Sequence, residues 1–204
     1  MGNALHIAVL GHSGTFECVE IRAKKNRKTV SFRHLAAEPD TNASIPDIPG
    51  LAAFYSAFGN LRLYFDEESG DSAYYIGSPA EWEEFRSALD SWLDGMPTDD
   101  TEDGIPSLVR DCVVVGEVPR SGNYLLVATT GTETGSVYLF DHDGFEFPRL
   151  ANSLPEFVIK RLTPSPTELT VMASYMRFTK DYRDRQWWIE EMCDNQGRVV
   201  RTMA

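Results

Sequence analysis

Cysteine and histidine are scarce in this chain: three and four among 204 residues. Cys18, Cys112 and Cys193 are odd in number and far apart. That excludes a disulfide framework and suits a reducing compartment. Each lies beside an apolar residue (Val19, Val113, Met192), so each reads as a small core side chain. Long apolar runs are missing too. The longest, such as Cys112 to Val115 and Leu125 to Ala128, are strand-sized, far short of the roughly 18 residues of a membrane span. Met1 to Leu10 lacks the basic region and apolar stretch of a secretory signal. Met1-Gly2 opens like an acylation site, but His6 stands where Ser or Thr is needed. A cytoplasmic location is the expectation.

Catalytic and metal motifs are equally thin. His6, His12, His34 and His142 include no pair at the helical spacing of a zinc site, and no cysteine pair completes one. Gly131 to Gly135 carries no lysine of a phosphate loop. In Gly11-His12-Ser13-Gly14-Thr15, Thr15 occupies the place of the second glycine of a nucleophile elbow. Asp141-His142-Asp143-Gly144-Phe145-Glu146 puts its glycine too early for a calcium loop and reads as an Asp- and Gly-rich turn. Glu83-Glu84 and Glu190-Glu191 are adjacent pairs whose members project differently, as on an exposed face. The expectation is a chain that is not an enzyme, with no metal and no cofactor.

What is present is an ordinary globular composition, 42% hydrophobic, 11% aromatic and 25% charged, which excludes wholesale disorder. The net charge of −12 disfavours a nucleic-acid backbone or an anionic membrane surface as partner. Thirteen acids fall in residues 66–103 against one base, Arg86; the rest of the chain is balanced at eighteen each. Asp66, Glu67, Glu68 and Asp71 open this stretch, and Asp99, Asp100, Glu102 and Asp103 close it. These eight are the candidate partner-binding residues, because a single-signed patch steers a basic partner onto itself; a solvated loop is the plainer alternative. The opposite pole, Arg22 to Arg33, holds six bases and no acid and reads as a solvated hairpin tip.

Periodicity gives the elements. Residues 4–10, 15–22 and 29–35 read as an N-terminal β meander. Pro49 opens a helix carrying Leu51, Phe54, Tyr55 and Phe58, which Gly59-Asn60 stops. Leu61 to Phe65 and Ala73 to Ile76 read as paired strands about an acidic turn. Ser78, Pro79 and Glu81 form a capping box for a helix whose apolar stripe is Trp82, Phe85, Leu89, Trp92 and Leu93. Cys112 to Val118, Asn123 to Thr130, Gly135 to Asp141 and Phe145 to Pro148 form a second β run. Asn152 or Ser153 caps a helix through Leu162, Thr167 to Phe178 is helical, and 187–201 resembles a terminal hairpin. Strands and helices cluster rather than alternate, the pattern of the α+β class.

The central blocks carry a resemblance. Ile48-Pro49-Gly50-Leu51-Ala52-Ala53-Phe54-Tyr55 with Phe58-Gly59-Asn60-Leu61 is similar to the helix-to-strand entry of the SUKH superfamily. Gly116-Glu117-Val118-Pro119, Ser121 to Leu125, and Gly135 to Asp143 resemble its central strands, and Leu150 to Val158 the helix after them. The resemblance implies a central mixed, mainly antiparallel sheet with flanking helices over residues 45–162. Residues 1–40 would then be a β-rich extension, and 163–204 a helix and hairpin packed on the core. It also implies a non-catalytic binding role. Bacterial members are mostly immunity proteins that neutralise toxins, nucleases among them, and fungal members regulate cell-wall synthesis. A protein partner, in particular a basic toxin domain, is therefore the expectation; an intracellular regulator or scaffold without a toxin is the alternative.

Overall fold

The computed structural model describes residues 2–96, 105–175 and 187–203. Its frame is one ten-stranded sheet in the order β10-β9-β1-β2-β3-β4-β5-β6-β7-β8. The strands are β1 (Ser13–Glu20), β2 (Arg27–Ala36), β3 (Leu61–Phe65), β4 (Tyr74–Ile76), β5 (Cys112–Val118), β6 (Asn123–Ala128), β7 (Val137–Phe140), β8 (Arg149–Ala151), β9 (Trp187–Asp194) and β10 (Val199–Arg201). Every pairing is antiparallel. The helices are α1 (Gly2–Leu10), α2 (Leu51–Tyr55), α3 (Trp82–Leu93), α4 (Ser107–Arg110), α5 (Leu154–Leu162) and α6 (Pro166–Tyr175). The class is α+β with an antiparallel sheet. None of the described helices is long and apolar enough to cross a membrane.

Side-chain alternation along the strands sorts the core into two layers. Val115, Leu125, Val127, Val137 and Leu139 face one way and join residues of α1, α2, α5 and α6. Val114, Tyr124, Leu126, Tyr138 and Phe140 face the other way and join Phe85, Leu89 and Leu93 of α3 and Val109 of α4. Strands β4 to β7 are thus covered on both faces. The other half, β10-β9-β1-β2-β3, contributes Phe16, Val30, Phe32, Ile189 and Met192 to the first layer only. Its outer face carries Thr29, Ser31 and Arg33, all exposed, and no described helix packs on it. A half-solvated antiparallel sheet reads as alternation in sequence, and β2 shows it.

Two elements differ from the sequence expectation. Residues 4–10 form helix α1 rather than the first strand of a meander. The run is apolar without alternation, so period alone could not separate the two states. Leu5 and Val9, one helical turn apart, are the residues that bury, and His6 stacks on Phe58 at 5.3 Å. The fourth strand of the second β run is Arg149–Ala151 rather than Phe145 to Pro148. Pro148 lacks an amide proton and serves only as an acceptor, taking a bond from the Leu139 N–H at 3.0 Å.

The terminal hairpin forms as expected, and β9 pairs with β1 while β2 pairs with β3. The N-terminal and C-terminal segments therefore continue the central sheet without a break. The capping box is present: Glu81 Oε2 accepts from the Ser78 N–H at 2.8 Å and from the Ser78 hydroxyl at 2.7 Å, starting a turn of 3-10 helix that leads into α3. Ser153 is the cap of α5, its hydroxyl accepting from the Glu156 N–H.

Candidate protein-binding surface

The acids of the turn between β3 and β4 divide into two kinds. Asp66 and Asp71 are buried, 5% and 7% exposed. The Asp66 carboxylate accepts the backbone N–H groups of Glu68 and Ser69 at 3.2 and 3.1 Å, which builds the turn. Asp71 receives the Arg120 guanidinium through two contacts of 3.0 Å. Burial pushes the Asp71 carboxyl up, against the pull of Arg120. These two side chains are structural, so the expectation that they display charge to a partner is corrected: the carboxylates are taken up by the turn's own amides and by Arg120. Glu67 and Glu68 are exposed, and Glu67 is ion-paired with Arg33. Asp99, Asp100, Glu102 and Asp103 lie outside the described residues.

Exposed acid is concentrated instead on α3. Glu83, Glu84, Asp90 and Asp94 all face solvent. Asp90 is held by Arg86 at 2.9 Å, and Arg86 is itself anchored to the carbonyl of Val109 at 2.8 Å. Glu83, Glu84 and Asp94 make no ion pair among the described residues. A helix whose buried stripe is Phe85, Leu89 and Leu93 must turn these carboxylates outward.

The last turn of the same helix carries an aromatic that the spacing assigned to the core. Trp92 is 41% exposed and leans on His142, ring centroids 4.9 Å apart. Gly122 makes room for it: a Cβ there would sit 3.0 Å from the indole, at a φ of +80°. The His142 ring is fixed from below by Asn123, fully buried, whose Oδ1 lies 2.7 Å from Nδ1 and also accepts the His142 N–H at 3.1 Å. Phe145, three residues on, is 41% exposed at a φ of +50° and packs on Phe140 at 5.8 Å. Asp141, His142 and Asp143 bring potential ligand atoms within 4.8 Å of one another, but on three successive residues of an Asp-rich turn. His142 Nε2 there faces Asp143 at 3.1 Å.

Below α3 a row of directly opposed residues crosses the sheet: Arg62, Tyr75, Glu117 and Tyr124. The Arg62 guanidinium lies 4.0 Å over the Tyr75 ring, and the Tyr75 hydroxyl donates to Glu81 Oε1 at 2.7 Å. Burial acts to raise the Glu81 carboxyl, yet its bonds from Ser78 and Tyr75 bring it below the usual range. Glu117 goes the other way: burial raises it, Arg62 opposes, and Glu84 and Glu81 add to the rise. Glu81 and Glu117 thus share the one Arg62 guanidinium, and Glu117 is the carboxyl that burial keeps raised. Sequence reasoning missed Glu117 because it is a lone acid in an apolar strand, and its neighbours come from other strands and from α3.

The opposite pole lies at the β1–β2 turn, where Arg22, Lys24 and Lys25 are exposed. Along the outer sheet face charge is already matched: Arg27 pairs with Glu190, Arg201 with Glu191, and the Thr29 hydroxyl donates to Glu17 at 2.8 Å. That face is a self-compensated, solvated lattice. The α3 side, by contrast, has acid left over.

No protein-family model, no curated protein and no solved structure matches the chain.

Proposed function

We propose that this chain is a non-catalytic protein-binding module of the immunity type, which neutralises a basic toxin domain by covering it with the α3 face. The observation that carries the reading is the outward side of α3. Glu83 and Glu84 at its start and Asp94 just past its end stand without ion pairs among the described residues, and Trp92 in its last turn is exposed. Uncompensated acid and an exposed indole on one short helix are residue types that suit an interface with a cationic surface. A nuclease holds phosphate with clustered Lys and Arg, so an acidic helix competes for the same groups. The resemblance of residues 45–162 to the SUKH superfamily supports the same role.

Co-expression with the product of the gene immediately upstream, first shown to be toxic when expressed by itself, is the test, followed by titration of the purified pair. The expected result is rescue of growth, with affinity falling at least tenfold between 50 and 200 mM salt. Glu83→Lys, Glu84→Lys and Asp94→Lys together should weaken binding by about a hundredfold or more, while Glu67→Lys leaves it within a few fold. Failure to rescue growth would overturn the immunity role, and salt-independent affinity the electrostatic part.

A further inference from the structure

The deepest polar feature of the molecule is a pair of imidazoles that plays no part in the α3 surface. His12 closes the corner between α1 and β1, His34 lies on β2, and both are buried, 3% and 4% exposed. His12 Nδ1 and His34 Nε2 are 2.8 Å apart, with the rings at an interplanar angle of 2°.

Their protons can be assigned from the neighbours. The β2–β3 ladder loses register between Arg33 and Leu35, and opposite the gap Tyr64 turns to a φ of +55°. Its orphaned backbone N–H donates to His34 Nδ1 at 2.9 Å, so the imidazole replaces the missing ladder acceptor. With Nδ1 accepting, neutral His34 carries its proton on Nε2 and donates it to His12 Nδ1. His12 then holds its own proton on Nε2. That atom is buried, makes no hydrogen bond, and faces Asp194 Oδ2 at 3.5 Å.

Asp194 is committed elsewhere. It accepts the backbone N–H groups of Gln196 and Arg198 at 2.9 Å each and Arg198 Nε at 2.6 Å, which builds the β9–β10 turn. The same corner is stitched by the Asn195 N–H donating to the Ser13 carbonyl at 2.7 Å and by Asn195 Nδ2 donating to the Gly11 carbonyl.

The chain of donors has no vacancy for another proton. Added at His34 Nδ1 it meets the Tyr64 N–H; added at His12 Nδ1 it meets the His34 Nε2–H. Either way two donors face each other in a buried site. The groups that face the pair do not relieve this. From β9 comes Asp194, whose charge favours a proton on His12 but by less than burial opposes it, and from its turn Arg198, a cation that opposes protonation of His12. From β3 comes Tyr64, and behind it stand Tyr74 of β4, Arg161 of α5 and Glu168 of α6. Burial accordingly lowers both imidazoles, His34 to about 3.

We propose that the His12–His34 pair is an acid-released latch: neutral, it holds the α1–β1 corner and the β9–β10 hairpin to the sheet, and on gaining one proton it frees them while β5–β7 stay folded. His12 is the ring that moves, since it alone has an unsatisfied nitrogen and sits at the junction it secures. The elements set free are the outer strands β9 and β10 and the helix α1.

Hydrogen–deuterium exchange of the full chain at about pH 7.5 and pH 5, corrected for intrinsic rates, is the test. Peptides from α1, β9 and β10 should lose at least tenfold protection at the lower pH, with β5–β7 unchanged. In His34→Gln, which can accept from Tyr64 and donate to His12 without titrating, the terminal hairpin should lose several-fold less protection on acidification than in the unmutated protein, because only His12 is left to take up a proton. Equal protection of the hairpin at both values in the unmutated protein, or loss in step with β5–β7, overturns the latch. Should His34→Gln not fold, proton NMR of the imidazoles in the unmutated protein decides. Silent His12 and His34 signals while the hairpin is closed support the latch; a ring titrating near its ordinary value in the closed protein removes it.

Discussion

Single atoms set the tightest tolerances in this molecule. Gly116 lies where β4 and β5 cross so closely that a Cβ would stand 2.0 Å from the Tyr75 carbonyl oxygen and 2.9 Å from the Ile76 Cα. Both neighbours are backbone and cannot swing aside. Gly116→Ala should therefore destabilise the fold by about 1–3 kcal/mol, read as a lower urea midpoint. The cysteines separate on similar grounds. Cys18 is buried in the first core layer and its thiol is pushed up to about 12 by burial, against the pull of Lys28. At pH 8 it should resist alkylation in the native protein and react only on unfolding, in a mass-spectrometric labelling experiment. Cys193, half-buried on β9, should label first. Cys18 is the core side chain that its apolar neighbour implies, whereas Cys112 and Cys193 are only half-buried. The roles of Asp66 and Asp71 also depart from the sequence reading, because composition counts a carboxylate as surface charge whether it faces water or a backbone amide.

Elements were legible where local chemistry and long-range packing agree. The box of Ser78 and Glu81 and the cap at Ser153 depend on residues three apart, so the sequence displays them directly. Ser153→Ala should cost about 1 kcal/mol by removing the acceptor for the Glu156 N–H, measured by thermal or urea unfolding. Helix α1 shows the opposite case. Its apolar run suits strand or helix equally, and the choice is made by what Leu5, His6 and Val9 meet, above all Phe58 and α5. Strand β8 is similar, displaced because Pro148 can accept but not donate. Helix α3 was legible as a helix, yet not as the exposed acidic surface. Trp92 falls on the apolar stripe by spacing but lies over His142 at the rim of the layer. Trp92→Ala should leave stability within about 1 kcal/mol, because the indole is already 41% exposed, while weakening partner binding by tenfold or more.

At the scale of the whole molecule the terminal segments and the centre form one sheet, and its stability carries a pH signature. His12 and His34 are both lowered in the fold relative to the ordinary value of about 6.5. Their contribution is fully present above pH 6.5. It is lost as pH falls, because the unfolded chain binds the protons that the fold refuses. Each histidine steepens the decline by up to about 1.4 kcal/mol per pH unit below that point. The melting temperature should thus drop between pH 6.5 and 5, and His34→Gln should flatten that limb. The α+β class, the capped helices and the excess of acid between residues 66 and 103 follow from sequence alone, since period, caps and charge are local properties. Which acids reach solvent, which histidines meet across 22 residues, and which half of the sheet stays open required the fold. Each depends on the register of strands remote in sequence, and that register is set by the packing of whole faces.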